Sequence, residues 1–251
     1  MAAGQEGVVA IRPLTASEEL REAVRLQKEI WGFAEIDLLP YRLFVVATKI
    51  GGQLLGAFDG ARLVGFCLAI PGLKPGGRYY LHSHMTGVQQ DYQGQGIGRL
   101  LKLEQRRDAL ARGIDLIEWT FDPLEIGNAH FNLSKLGAVV RRFVENQYGM
   151  SSSPLHGGLP TDRCVAEWWI GSPRVAAMVE GKAAAGPPVE ARIEVPREIA
   201  AWKASDRRRA LEVQARVREQ FGRCLAQGLA ATGYAVNAAG GAFLMTPWEA
   251  A

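Results

Sequence analysis

The segment Val88 to Arg99, reading VQQDYQGQGIGR, holds residues whose spacing suits chemistry. Gly94, Gly96 and Gly98 alternate with Gln95 and Ile97, and so remove side chains where backbone must come close to something. A strand ending at Val88 and a helix beginning near Gly96 would leave the first helical N–H groups without intrahelical partners. Such groups form a positive pocket suited to phosphate oxygens. No Gly-Lys-Ser/Thr follows, so this is not a P-loop of the Walker kind. The spacing is GxGxG rather than GxGxxG. Glu118 lies 20 residues after Gly98, but the strands before the glycines do not form a βαβ start, and a nicotinamide dinucleotide fits poorly.

Proton-moving side chains lie on either side of this segment. His82 and His84 stand two apart in RYYLHSHMTGV and so share a strand face. Glu118 and Asp122 share a face in LIEWTFD, with Thr120 between them. A charge inside a central strand is unfavourable unless it meets a wet cavity or a partner. These residues therefore read either as site residues or as salt-bridged and hydrogen-bonded members of a sheet.

The elements that must position them follow from periodicity and breakers. Residues 8–14 predict a strand and 16–31 a helix capped by Thr15 or Ser17. A loop over 33–40 and a short helix over 41–50 come next. QLLGAF and RLVGFCLAI make a hairpin around Asp59-Gly60. PGLKPGG reads as a loop, 78–88 as a strand and 96–112 as a helix stopped by Gly113. Strand 116–122, helix 128–137, strand 138–149 and strand 163–170 complete this part. Residues 171–190 change composition and read as a linker or a loosely packed helix. Beyond it come a short strand in ARIEVP, one long helix from about 197 to 230, and a hairpin over 234–245 turning at Gly240-Gly241. The fold class is α/β (α+β), a mixed sheet flanked by helices.

Composition narrows the function classes. The chain has 251 residues, 48% hydrophobic and 22% charged, which suits a globular protein with a real core. The net charge is only +3, too weak to indicate a nucleic-acid binder. Eight of the basic residues and four acids fall within 197–223, a local excess of four. A solvated helix face explains that excess, and nucleic-acid contact would need steep salt dependence. Three scattered cysteines without a CxxC predict neither disulfides nor a metal site. Cys67 reads as a small buried residue. No signal peptide or membrane span is expected, so a cytoplasmic location and no membrane partner follow.

Gln93, Gly96 and Gly98 satisfy Q-x-x-G-x-G after a strand, and here the chain resembles the GNAT superfamily of acyl-CoA-dependent N-acyltransferases. NAHFNLSKLGA and the order of strands extend the resemblance over about residues 8–170. It implies a GNAT-like, mostly antiparallel sheet in a 1–170 acyl-CoA-binding domain, a 171–190 linker, and a 191–251 extension packed on the core. WTFDPLEIGNAHFNLSKLGAVVRRFVENQYG is similar to large members carrying such an extension.

The resemblance implies acetyl-CoA or another acyl-CoA as cofactor. It places Gln93, Gly94, Gln95, Gly96, Ile97, Gly98 and Arg99 on the pyrophosphate. Gly87 and Val88 would hold the pantetheine or the thioester carbonyl, and Asn128 and Asn132 the pantetheine or phosphate region. Glu118, His84 and Asp122 become candidate bases. The helix tyrosine that serves many members as general acid is replaced by Leu133, leaving Ser134, Tyr148 or water. The expected activity is transfer of a short acyl group to a primary amine of a small molecule, possibly an amino acid, by direct attack in a ternary complex. The alternative is a non-catalytic acyl-CoA-binding or sensing module. A homodimer is left open.

Overall fold

In the computed structural model, residues 9–149, 157–182 and 186–248 are described. The chain divides into two units, residues 1–114 and 115–251.

The first unit holds β1 (Ala10–Pro13), α1 (Ser17–Trp31), α2 (Tyr41–Lys49), β2 (Gln53–Asp59), β3 (Arg62–Leu73), β4 (Tyr79–Val88) and α3 (Ile97–Ala111). The strands lie in the order β1-β2-β3-β4, each antiparallel to the next. Leu20, Ala23 and Leu26 of α1 and Phe44 and Ala47 of α2 follow helical spacing. They bury against Leu54, Phe66, Leu68 and Met85 on one sheet face. The opposite face buries Leu55, Ala57, Val64 and Cys67 under Ile97 and Leu101 of α3.

Two local readings change here. The N-cap of α1 is Ala16, and neither expected hydroxyl caps it. Glu19 instead reaches back and accepts from the backbone N–H of Thr15 and Ala16. Strand β3 runs through Pro71 and Gly72 to Leu73, where a loop was expected. Gly72 sustains the pairing because a Cβ there would lie 2.3 Å from the Tyr80 ring.

The second unit holds β5 (Leu116–Phe121) and α4 (Ile126–His130), which continues as a π-helical turn over Phe131–Lys135. It continues with β6 (Val139–Val144), β7 (Arg163–Trp169), α5 (Pro173–Val179) and β8 (Ala191–Pro196). The last elements are α6 (Ile199–Ser205), α7 (Arg207–Ala226), β9 (Leu229–Asn237) and β10 (Gly240–Pro247). The strand order is β5-β7-β6-β9-β10-β8, and the pairings are antiparallel. The fold class is thus α/β, with antiparallel strands flanked by helices in each unit. Trp168 is fully buried, and its indole N–H donates to the Leu136 carbonyl at 2.7 Å. Among the described residues no helix is long and apolar enough to cross a membrane.

Four boundaries differ from expectation. β6 stops at Val144 because Asn146 turns the chain at φ 42° and exchanges hydrogen bonds with Thr161 and Asp162. The segment 171–190 contains α5, capped by Ser172 with Pro173 in its first turn. The long helix breaks at Asp206, which leaves helical geometry so that its carboxylate can cap the N–H of Arg209 at 3.1 Å. The last hairpin turns at Ala238-Ala239, one step before the glycines. Gly240 and Gly241 lack side chains for another reason: Val195 backbone and the Tyr234 ring lie against them.

Candidate active site

In the first unit the site is made of backbone. β4 ends at Val88, a 3-10 turn spans Gln90–Tyr92, and α3 opens at Ile97 with Gly96 as N-cap. Gly94 and Gly96 adopt φ of 78° and 80°, conformations that disfavour any other residue. Gly98 has no such need. A Cβ at Gly98 would meet nothing within 4 Å, and glycine in a helix is unfavourable by about 1 kcal/mol relative to alanine. The missing side chain thus leaves open space over the first turn of α3, where no side chain caps the helix.

Neighbouring side chains hold this loop. Gln93 Nε2 donates to the Val88 carbonyl at 3.1 Å, and Gln95 Nε2 to the Asp91 carbonyl at 3.1 Å. Tyr92 donates to Asp59 in the β2–β3 turn, and Gln89 to Glu29 on α1. Ile97 is buried in the core beneath the loop, while Arg99 lies half-buried beside it. The N–H of Gln89 donates to Val64 of the β3 side. Backbone N–H groups alternate along a strand, so the Val88 N–H points away from β3 and that of Gly87 toward it. Gly87 also has a packing reason, since a Cβ would lie 2.6 Å from the Trp31 ring.

His84 occupies a bulge in β4. Leu68 pairs with Met85 and Ala69 with Ser83, leaving His84 as the extra residue. The bulge changes which face follows it. Ser83 meets α3, whereas Met85 joins the α1–α2 cluster. The rings of His82 and His84 lie 5.9 Å apart, on one face. His84 is exposed at the surface of the strand, and neighbouring groups desolvate its ring enough to lower its pKa, which favours the neutral imidazole.

Beneath β4 lies a polar cluster that periodicity alone did not disclose. Lys102 of α3 is buried, and its ammonium group donates to Ser83 Oγ at 2.9 Å and Gln105 Oε1 at 2.8 Å. Gln53 Nε2 donates to the Gln105 carbonyl and to Asp108. Burial lowers the Lys102 pKa to about 7 and raises that of the neighbouring Cys67 to about 12. A detectable signal was present: Lys102 and Gln105 fall on the inward stripe of α3 with Leu101 and Ala109.

In the second unit the candidate groups are side chains in ionic partnerships. Glu118 is buried and accepts from Arg142 at 2.6 Å. Its cross-strand neighbour on β7 is Glu167, equally buried and bound by Arg141. Arg142 thus sits between two carboxylates, with its side chain 47% exposed. Thr120, on the same face as Glu118, shares a 3.0 Å hydrogen bond with the half-exposed Tyr148 hydroxyl. Asp122 accepts from Lys203 at 2.9 Å and from the Leu124 N–H at 2.8 Å. Asn132 is buried and donates to the exposed Asn128 at 3.2 Å, orienting it. Leu133 is fully buried. Ser134 Oγ donates to the Tyr234 carbonyl and accepts its N–H.

The structure therefore gathers Gln93 to Arg99 in one loop below the His84 strand. It gathers Glu118, Thr120 and Tyr148 on one strand face, and Asn128 with Asn132 on one helical turn. Glu167, Arg141, Arg142 and Lys203 join these groups through strand pairing and the C-terminal elements.

Comparison with known proteins bears on this geometry. Residues 18–137 match the model of the acetyltransferase (GNAT) family. No curated protein gives a match. Among solved structures, a GNAT-family acetyltransferase from Streptococcus pneumoniae is 18% identical, covers 65% of this chain and all of its own, and has a TM-score of 0.53. The ribosomal-protein-S18-alanine N-acetyltransferase from Escherichia coli is 16% identical, with 66% of this chain and 96% of its own covered and a TM-score of 0.52. NAA60 from Arabidopsis thaliana, solved with acetyl-CoA, is 14% identical, with 64% and 99% covered and a TM-score of 0.52. These likenesses extend to the fold.

Proposed function

Because residues 18–137 match the model of the acetyltransferase (GNAT) family, we propose that this protein transfers an acetyl or other short acyl group from acyl-CoA to a primary amine of a small molecule, such as an amino acid. The observation that carries the reading is the loop into α3, where Gly94 and Gly96 turn the chain at positive φ and a Cβ at Gly98 in the first helical turn would meet nothing within 4 Å. That open space beside the α3 N-terminus suits pyrophosphate oxygens. The N–H groups of the Gln93–Arg99 loop would hold them. The Val88 N–H would meet the pantetheine or the thioester carbonyl, and Asn128, steadied by Asn132, the pantetheine or phosphate region.

Acyl-CoA supplies an activated thioester, whose acyl carbon forms a bond to the amine nitrogen as the C–S bond breaks. The chain's own groups manage the protons. A neutral imidazole nitrogen on His84 takes one from the acceptor amine, and its lowered pKa keeps that nitrogen available at neutral pH. Glu118 and Asp122 are engaged with cations and suit acceptor positioning better than proton abstraction. A proton reaches the leaving thiolate from water or from the Tyr148 hydroxyl. We place the protein in the reducing cytoplasm, in keeping with its three free cysteines. A homodimer is compatible with this reading.

A second reading, an acyl-CoA-binding module without turnover, is favoured by Leu133 and by Ser134, whose hydroxyl is committed to Tyr234. Free-thiol release from acyl-CoAs, with and without pooled amino acids and polyamines, separates the two. Amine-dependent release with one acylated product by mass spectrometry is expected. Tight coenzyme A binding without release would favour the binding module.

A further inference from the structure

The residues from β8 onward have no part in the chemistry above, yet one of them reaches the end of β5. Lys203 of α6 donates to Asp122 Oδ2 at 2.9 Å and to Glu125 Oε1 at 2.6 Å. Its side chain is 6% exposed. Burial alone would lower its pKa, but the two carboxylates hold it above the ordinary lysine value. The ammonium group is therefore fixed as a charge in a nearly dry place.

What it holds is a turn. Asp122 Oδ1 accepts the N–H of Leu124, and the Asp122 carbonyl accepts that of Glu125. Glu125 is the N-cap of α4, and its carbonyl accepts the N–H of Ala129. Asn128 lies in that turn, and Asn132 binds it from the next. α4 and its π-helical continuation together run only from Ile126 to Lys135, short of the length at which a helix holds by itself. A buried charge pair is weak evidence for stability, because an apolar residue of similar volume often packs as well. Its value lies in direction: one ammonium group bound to two carboxylates sets both ends of the Asp122–Glu125 turn.

We infer that Lys203 is a positioning residue by which the C-terminal extension sets the start of α4 and so aims Asn128, steadied by Asn132, at acyl-CoA. The inference rests on the reading that Asn128 contacts acyl-CoA. It gives the extension a task in cofactor binding that its distance in sequence conceals.

The test is acetyl-CoA affinity of the full chain by calorimetry, with thermal melting as the control for folding and steady-state kinetics alongside. Lys203→Met should weaken binding by about ten- to a hundredfold, the size expected when a group is displaced slightly from its working position. The loss should appear in KM for acetyl-CoA, with kcat at saturation largely kept. Lys203→Arg should restore most of the affinity. A folded Lys203→Met protein with unchanged affinity and KM overturns the inference. Where Lys203→Met fails to fold, the neutral triple variant Asp122→Asn, Glu125→Gln, Lys203→Met replaces it. That variant should fold and still bind weakly, and unchanged binding by it overturns the inference equally. Wild-type protein that binds no acetyl-CoA overturns the acyltransferase reading first and this inference with it.

Discussion

The two units build their candidate groups from different materials. In the first, the loop from Gln93 to Arg99 is a backbone device: its glycines remove side chains, and its glutamines fold back onto the loop's own carbonyls. In the second, the same tasks of holding and orienting fall to charged side chains paired across strands, Glu118 and Glu167 with Arg141 and Arg142, and Asp122 with Lys203. A backbone device is local. It needs only the right residues in the right order along a few positions. A side-chain device depends on which distant strands become neighbours. The first should therefore fail in binding without failing in folding, and the second should fail in both.

The largest effect expected from that contrast is at Gly98. Gly98→Ala should raise helix stability by up to about 1 kcal/mol, because alanine is the better helix former. It should nonetheless weaken acetyl-CoA binding, and Gly98→Val should remove measurable binding. Gly96→Ala makes the internal control. It forces a Cβ onto a residue at φ 80° and should lower stability by about 1–2 kcal/mol. Calorimetric affinity and melting temperature for the three variants separate the cases. Stabilised Gly98→Ala protein with unchanged affinity would sink the phosphate-cradle reading.

The same contrast explains how much of the molecule was legible in the sequence. The loop was readable because Gln93, Gly96 and Gly98 lie within six positions, and the hairpin and helices around it carry their own local signals. Those elements implied a mixed sheet flanked by helices, and its mostly antiparallel pairing was expected only from the family resemblance. The partners of Glu118 and Asp122 were not readable. Arg142 reaches Glu118 only because β7 lies between β5 and β6, and Lys203 lies 81 positions beyond Asp122. The bulge at His84 was hidden for the same reason, since it exists only against β3. The break at Asp206 was more accessible, because an aspartate three residues before a capped N–H is a helix-start signal.

A medium effect is expected at Glu118. Removing one member of a buried ion pair often destabilises by about 3–5 kcal/mol. Arg142 is half-exposed and keeps Glu167, so about 1–3 kcal/mol is expected for Glu118→Gln. The double variant with Arg142→Met should recover part of that loss, a coupling that denaturant titration can measure. Additive losses would mean that the pair is not a unit. The pH profile of kcat/KM adds the functional side. Glu118→Gln should keep the acid limb that His84→Gln removes, and the reverse result would move the base to Glu118.

Lys102 tests whether the first unit is purely a backbone device. Its amine titrates at about 7 in the fold, against an ordinary value of 10.5. Between those values the unfolded chain holds the proton and the folded chain does not, so stability should rise with pH across that window. Below about pH 7 both forms are protonated, and the fold carries the charge in a buried place. Lys102→Met should flatten the rise and match or exceed wild-type stability near pH 6. Equal slopes in both proteins would show that the ammonium group is better solvated than its burial implies.

The smallest effect is expected where the second unit leaves a polar atom unserved. Tyr234 is 3% exposed, and its hydroxyl has no hydrogen-bond partner among the described residues. Burial raises its pKa well above the ordinary phenol value. The ring packs edge-on against Phe243 at 4.7 Å and over Gly241, while the backbone of the same residue is fully engaged by Ser134. The ring and backbone therefore carry the packing, and the oxygen adds only a desolvation penalty of about 1–3 kcal/mol. Tyr234→Phe keeps every contact but that one, and should leave stability unchanged or raise it by about 1 kcal/mol. A loss of stability on chemical denaturation would mean that the hydroxyl has a partner, such as a buried water. That partner would join the neutral hydrogen bonds of Trp168, Asn132 and Ser134 that work beside the charged pairs of this unit.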